Sequence, residues 1–328
     1  MLSNEEKIYM AVITGEFLLC FLVNGFIALV NCINWVKSKK LSSSDLILIS
    51  LAISRIGLVC AIIWNSYSIV HSIDIVITGY IKIIHIFLIL SHNSNIWFAT
   101  VLSIFYFLKI TNFSNSFFLW IKSRIDRMIF ILLWGPLIPS LSISFPIMER
   151  MHYYHNNAFN RGKERNVSQE VQVSKSTFLM LQILLSFLNL IPFIISTISF
   201  SLLLLSLWRH TRQMQLHATG SRDPSTEAHV RAMKAVVSLL LFFLLYYLGF
   251  FFTYMINSQE KNNIAFMISM SIMLINPFGH SLILILWNNK LRKAALRMSW
   301  LIRCLERGTR KTKLPLQSCI VKQNKFLH

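Results

Sequence analysis

This chain has little charge, and acidic charge is the scarcer of the two signs. Only 14% of its residues are charged, and 13 Asp and Glu stand against 32 Lys and Arg. So little charge beside 55% hydrophobic residues excludes an ordinary water-soluble domain, whose core would not need so much apolar material. The apolar stretches hold too few acids for the proton relay of a pump, and no paired broken helices or inverted repeat points to a transporter. There is no low-complexity tract. The cysteines stand at 20, 32, 60, 304 and 319, inside apolar stretches or after the last of them. An extracellular disulfide is thereby excluded. No cleavable signal is expected either, because the first apolar stretch begins at residue 8 and is too long for a signal core.

What the chain does have is seven long apolar stretches, at 8–33, 45–70, 83–108, 128–148, 178–207, 233–256 and 264–287. Each reaches the roughly 20 residues that a membrane-spanning helix requires. The expected fold is an all-α bundle of seven transmembrane helices, forming one domain over 1–328. An odd number of crossings puts the termini on opposite faces. Most Lys and Arg lie in alternate connections: Lys37, Lys39 and Lys40, the segment 109–127, the segment 208–235, and the tail after 287. Acids there are few, namely Asp126, Asp223, Glu227 and Glu306. The positive-inside rule then places the N-terminus outside and the C-terminus in the cytosol. Loops facing an anionic cytoplasmic leaflet account for the net charge of +19, which leaves nucleic-acid binding without support.

The sizeable connections are 149–177, 208–232 and the tail, and none is long enough to fold by itself. Asn166-Val167-Ser168 is a glycosylation sequon on the luminal side of this topology, whereas Asn112-Phe113-Ser114 falls on the cytosolic side and should stay bare. From 288 to 328 the tail is basic. Lys290, Arg292, Lys293, Arg297 and Arg303 alternate with Leu291, Leu296, Trp300 and Leu301, which suits an amphipathic helix on the inner membrane surface, followed by a flexible end. Cys304 and Cys319 lie on that side, either as reduced thiols or as acylation sites.

Ionisable side chains within a span are costly, and each needs an account. Arg55 lies about 15 residues beyond Lys40, roughly 22 Å along a helix, and Asn24 reaches a similar depth in the first span. Asn24 is expected to accept a hydrogen bond from Arg55 in a polar hub that ties helices together. Glu16 is read as a snorkelling or water-exposed carboxylate, and Asp45 as the cap of the second span. His85 and His92 share a face of the third span, and His280 lies on the seventh. Three histidines raise the idea of an intramembrane zinc hydrolase, but no carboxylate-rich ligand set or general base accompanies them; no metal and no cofactor is expected. Pro136, Pro139, Pro146, Pro192 and Pro277 should kink helices where neighbours answer the freed carbonyls.

Seven spans in this orientation suggest a G-protein-coupled receptor, and five blocks sharpen the suggestion. They are LSSSDLILISLAISR at 41–55, FYFLKITNFSNSFFLWIKSR at 105–124, SLWRHTRQM at 206–214, ATGSRDPSTEAHVRAMKAV at 218–236, and HSLILI with NNKLRKA at 280–294. Together they resemble the bitter taste receptors, taste receptor type 2, including Arg55 where rhodopsin-like receptors usually carry an aspartate. The sequon at Asn166 also falls where that family commonly has one.

The resemblance implies a plasma-membrane receptor with an outer small-molecule pocket among helices two, three, five, six and seven. Asn65, Leu88, His92, Tyr246 and Met270 occupy places similar to the family's ligand-contacting positions. Two departures matter: the family often has tryptophan at the place of Leu88 and asparagine at the place of His92, so an aromatic platform is lost and a titratable group gained. Met270 stands where some members have an acid, which weakens recognition of cations at that position. For activation and coupling, the resemblance points to Tyr106 and Lys109 at the end of the third helix, His210 in the third inner loop, and His280 beside Pro277. The implied partners are bitter small-molecule agonists, a heterotrimeric G protein of gustducin type and membrane lipid, and the resemblance leaves room for a receptor oligomer. The competing readings are a pheromone-type vomeronasal receptor and, from another class, a membrane transporter or intramembrane hydrolase.

Overall fold

The computed structural model describes residues 3–70, 78–111, 115–135, 137–142, 144–145, 168–217, 224–257 and 263–310. Its principal helices are α1 (Asn4–Ser38), α2 (Ser43–Val70), α3 (Thr78–Ile110), α4 (Ser116–Trp134), α5 (Ser168–His217), α6 (Pro224–Asn257), α7 (Asn263–Trp287) and α8 (Asn289–Arg310). Among the described residues no strand occurs, and 7 helices are long and apolar enough to cross a membrane. The seven-helix class expected from hydropathy is the one adopted.

The helices overrun the apolar stretches. α5 continues for 50 residues, well past the expected 178–207, because a helix satisfies its own backbone hydrogen bonds beyond the membrane as well as within it. Hydropathy marks the crossing, not the helix end. The fourth crossing also differs: its apolar span begins at Phe118, well before the expected residue 128. Lys122 and Arg124, which read as loop, lie on α4 with their cations 5.8 Å and 4.6 Å from the ring centres of Phe118 and Trp120. Long basic side chains laid along aromatic rings allow a helix to carry charge near its end.

Helix starts follow local polar chemistry. Ser3 and Glu6 form a reciprocal capping box on α1, with Ser3 Oγ accepting from the Glu6 N–H at 3.1 Å and Glu6 Oε2 accepting from the Ser3 N–H at 2.8 Å. The expected cap of α2 is Asp45; the observed one is Ser42, whose Oγ accepts the Asp45 N–H at 3.2 Å. Asp45 sits instead in the first turn, where its charge complements the helix dipole.

α1 packs on α2, α2 on α3, α3 against α4 and α5, and α5 on α6, while α2 also reaches α4. Gly279 lets α7 come close to α6: a Cβ there would clash with the ring of Phe242. Helices α5 and α7 run through Pro192 and Pro277. Around Pro192 the backbone takes outside partners, with Tyr247 donating to the Asn189 carbonyl at 2.9 Å and Thr100 to the Pro192 carbonyl at 3.3 Å. Proline is tolerated within a membrane helix on these terms.

The chain divides into two compact units, Met1–Leu282 and Ile283–His328. The second holds the end of α7 and the whole of α8, which Asn288 caps by accepting from the Lys290 and Leu291 N–H groups at 3.0 Å and 3.3 Å.

Candidate functional site

Among the described residues the largest fully buried side chain is Arg55, 1% exposed on α2. Its guanidinium donates from Nε to Asn95 Oδ1 on α3 at 3.2 Å, from Nη1 to Ser281 Oγ on α7 at 2.6 Å, and from Nη2 to His280 Nδ1 at 2.9 Å. Because a guanidinium only donates, His280 Nδ1 accepts and the ring proton sits on Nε2. Ser281 Oγ in turn lies 2.7 Å from both Asn24 Oδ1 on α1 and the Pro277 carbonyl, and its one proton serves one of these acceptors at a time. Asn24 and Arg55 lie in one hydrogen-bond network, in which Asn24 is not a direct partner of Arg55. Ser281 stands between them, because the depths of α1 and α2 match while α7 supplies the side chain that faces both. His280, expected to serve activation, belongs to this same hub.

Toward the N-terminal half of α1 the interior turns apolar. Tyr9, Ile13, Cys20, Leu58, Val59, Ile62, Ile96, Tyr246, Met270, Met273 and Leu274 form one buried cluster, with Leu88, Phe17, Met10, Tyr247 and Phe278 packed against it. Leu88, Tyr246 and Met270, three of the five expected ligand-contacting positions, thus share one cluster. His92 joins them through a 2.7 Å hydrogen bond between its Nδ1 and the Tyr246 hydroxyl, with the two rings stacked at 5.6 Å. An imidazole that sequence reasoning offered to a ligand is already bonded across α3 and α6. Asn65 is half-buried on α2, beside Ser66, whose hydroxyl pairs with Tyr9 at 2.7 Å.

At the end of the bundle where α3 stops and α4 starts, Lys109 Nζ pairs with Asp126 Oδ2 at 2.9 Å, the side chains being 43% and 51% exposed. Lys109 also lies 5.5 Å from the Phe105 ring centre, and Lys122 donates to the Thr111 carbonyl at 2.8 Å, answering a group at the C-terminus of α3. Tyr106 is half-buried nearby in sequence, and His210 is exposed near the end of α5.

The model of the family described as Taste receptor protein (TAS2R) matches residues 1–303. The chain belongs to the taste receptor family. It is 45% identical over 309 residues to taste receptor type 2 member 7 of Pongo pygmaeus, covering 94% of this chain and 97% of that relative. Against member 7 of Papio hamadryas the identity is 45% over 295 residues, covering 90% and 93% respectively. Member 8 of Pongo pygmaeus is 42% identical over 302 residues, covering 91% of this chain and 97% of that relative. Membership makes this protein a seven-helix G-protein-coupled receptor and sets aside the enzyme and transporter readings.

In this taste receptor, sequence reasoning missed Asn95 and Ser281 in the hub and Tyr9–Ser66 between α1 and α2. A signal for the first was present: Ser91, His92, Asn93, Ser94 and Asn95 form a polar run inside an apolar span, and all five are buried. The expected reading of Glu16 is a snorkelling or water-exposed carboxylate. It is half-buried, and its Oε2 is wholly buried with no hydrogen-bond partner among the described residues. Asn166 and Asn112 lie outside the described residues.

Proposed function

We propose that this receptor detects bitter, mainly apolar small molecules from the extracellular or luminal side and activates a heterotrimeric G protein of gustducin type. Family membership supports the class of activity. The observation that carries the site is the gathering of Leu88, Tyr246 and Met270 in one cluster, with His92 bonded to Tyr246. An apolar wall with a few convergent polar groups is the usual chemistry of a small-molecule site. On this reading Asn65, Leu88, His92, Tyr246 and Met270 contact agonist. Tyr106, Lys109 and His210 serve the G-protein end, and the Arg55 hub with His280 couples the two through α2, α3 and α7. Agonist and G protein must both favour the same state of the bundle for one to report the other.

The excess of Lys and Arg in alternate connections supports an extracellular N-terminus in the plasma membrane. A glycan on Asn166 follows from that orientation. Asn166→Gln should remove one glycosidase-sensitive mobility shift, and Asn112→Gln should remove none; a glycan on Asn112 would reverse the orientation. The activity itself is tested by calcium release in cells that carry the receptor with a gustducin-type G protein, screened with chemically varied bitter compounds. Silence toward all of them, with the receptor shown at the cell surface, would overturn the proposal.

A further inference from the structure

Tyr246 and Tyr247 are consecutive on α6, so their side chains leave the helix about 100° apart. They reach different neighbours. Tyr246 bonds to His92 on α3, whereas Tyr247 donates to the Asn189 carbonyl on α5 at 2.9 Å. The ring of Tyr247 is held from both helices, its centre 4.4 Å from that of Phe193 on α5 and 5.1 Å from that of Phe243 on α6. Asn189 is buried, three residues before Pro192.

A proline supplies no N–H to the carbonyl four residues back, so this turn of α5 has one backbone hydrogen bond fewer than an unbroken helix. One turn further along, Ser196 Oγ donates to Thr100 Oγ1 on α3 at 2.8 Å, and both side chains are fully buried. A hydroxyl of α6 thus grips α5 on one side of Pro192, and a bond to α3 grips it on the other, where its own backbone is weakest.

A receptor that reports an agonist passes between two arrangements of its bundle, and a helix bends most readily at such a proline. The two grips favour the arrangement in which both are made. A ligand that takes Tyr246 or His92 must compete with the bond between them, so this arrangement is the one an agonist works against. It is the resting one.

We infer that Tyr247 is a positioning residue for signalling: its hydroxyl, bonded to the Asn189 carbonyl, locks α6 to α5 beside Pro192 and holds the receptor at rest, with Ser196 and Thr100 as the second half of the lock. The inference deepens the receptor reading above and rests on it for the direction of the effect.

The experiment compares the wild type with Tyr247→Phe, which keeps the ring contacts and removes the donor, and with Ser196→Ala, which cuts the bond to α3. The first readout is agonist-independent loading of a GTP analogue onto a gustducin-type heterotrimer, in membranes carrying equal amounts of each receptor. Loss of one such bond shifts a two-state ratio by about fivefold. Tyr247→Phe should raise the loading by about that factor, and Ser196→Ala should raise it too. The second readout is amide hydrogen exchange on the purified full-length receptors. Amides within residues 189–196 should exchange about fivefold faster in Tyr247→Phe, while those of α1 and α2 are unchanged. Loading by Tyr247→Phe at or below the wild-type level, with the wild type responsive to agonist, would overturn the inference and leave Tyr247 a packing residue. Should Tyr247→Phe not reach the membrane, Ser196→Ala decides by the same criterion. If no receptor, wild type included, loads the G protein with any agonist, the receptor reading fails and exchange decides the lock: faster exchange of residues 189–196 in Tyr247→Phe sustains it, and unchanged exchange removes it.

Discussion

The Arg55 hub and the cluster around His92 and Tyr246 are both buried in one bundle, yet they use polar groups in opposite ways. In the hub each nitrogen of the guanidinium has a neutral partner, and Ser281 passes the network on to Asn24 and the Pro277 carbonyl. Arg55 ties α2, α3 and α7, and Ser281 adds α1. Around His92 a bond to Tyr246 crosses between α3 and α6 beside the apolar cluster, and on the α1 side Glu16 keeps an oxygen with no partner among the described residues. A network whose donors are answered by the protein resists change, because every altered member strands another. A largely apolar region that keeps polar atoms without a partner among the described residues, such as Glu16 Oε2 and Asn93 Oδ1, has chemistry to offer a ligand.

The hub is broken most severely by Arg55→Ala. It removes three hydrogen bonds from a charged group, each worth about 1.5–3 kcal/mol, and strands buried acceptors on α3 and α7. Surface expression and responses to every agonist should fall together, measured by cell-surface labelling and calcium release. Loss of some agonists alone, with expression intact, would move Arg55 from the hub into the ligand site and erase the contrast.

Gly279 tests the close packing next to the hub. A Cβ there collides with the Phe242 ring, so Gly279→Ala should cost about 1–3 kcal/mol by overpacking. The loss should appear as a lowered Tm for the purified receptor. Phe242→Leu in the same chain should restore most of it, since it removes the ring that the Cβ meets.

The contrast is sharpened at His92 and Tyr246. His92→Leu and Tyr246→Phe each remove the bond between α3 and α6, whose net worth is on the order of 1 kcal/mol. Responses to hydrogen-bonding agonists should fall by up to about tenfold on that scale, while purely apolar agonists are spared. The double variant should lose little more than either single one, as expected of two residues sharing an interaction. A uniform shift across chemically unlike agonists, accompanied by reduced expression, would assign the pair to packing alone.

The smallest effect is expected at the exposed pair Lys109–Asp126. Ion pairs this open to solvent contribute about 0–1 kcal/mol and weaken with salt. Asp126→Asn should leave the Tm nearly unchanged. A large loss of G-protein activation without loss of stability would show that Lys109 must be held in place for coupling.

Much of the fold was legible in the sequence because a membrane crossing is a local property: twenty or so apolar residues declare it without reference to any other segment. Charge in the connections gave an expected orientation in the same one-dimensional way, and Arg55 stood out because a guanidinium in a span must be answered. The identity of the answering group was not local. Asn24 and Arg55 match in depth, but which side chain lies between them depends on how α7 is rotated and how closely Gly279 lets it approach α6. Likewise the pairing of His92 with Tyr246 joins residues far apart in the chain, and the burial of Glu16 Oε2 depends on the neighbours that surround α1. Hydropathy determined that these helices cross. Helix rotation and side-chain packing, which no single span contains, decided which polar groups meet and which are left for something else to meet.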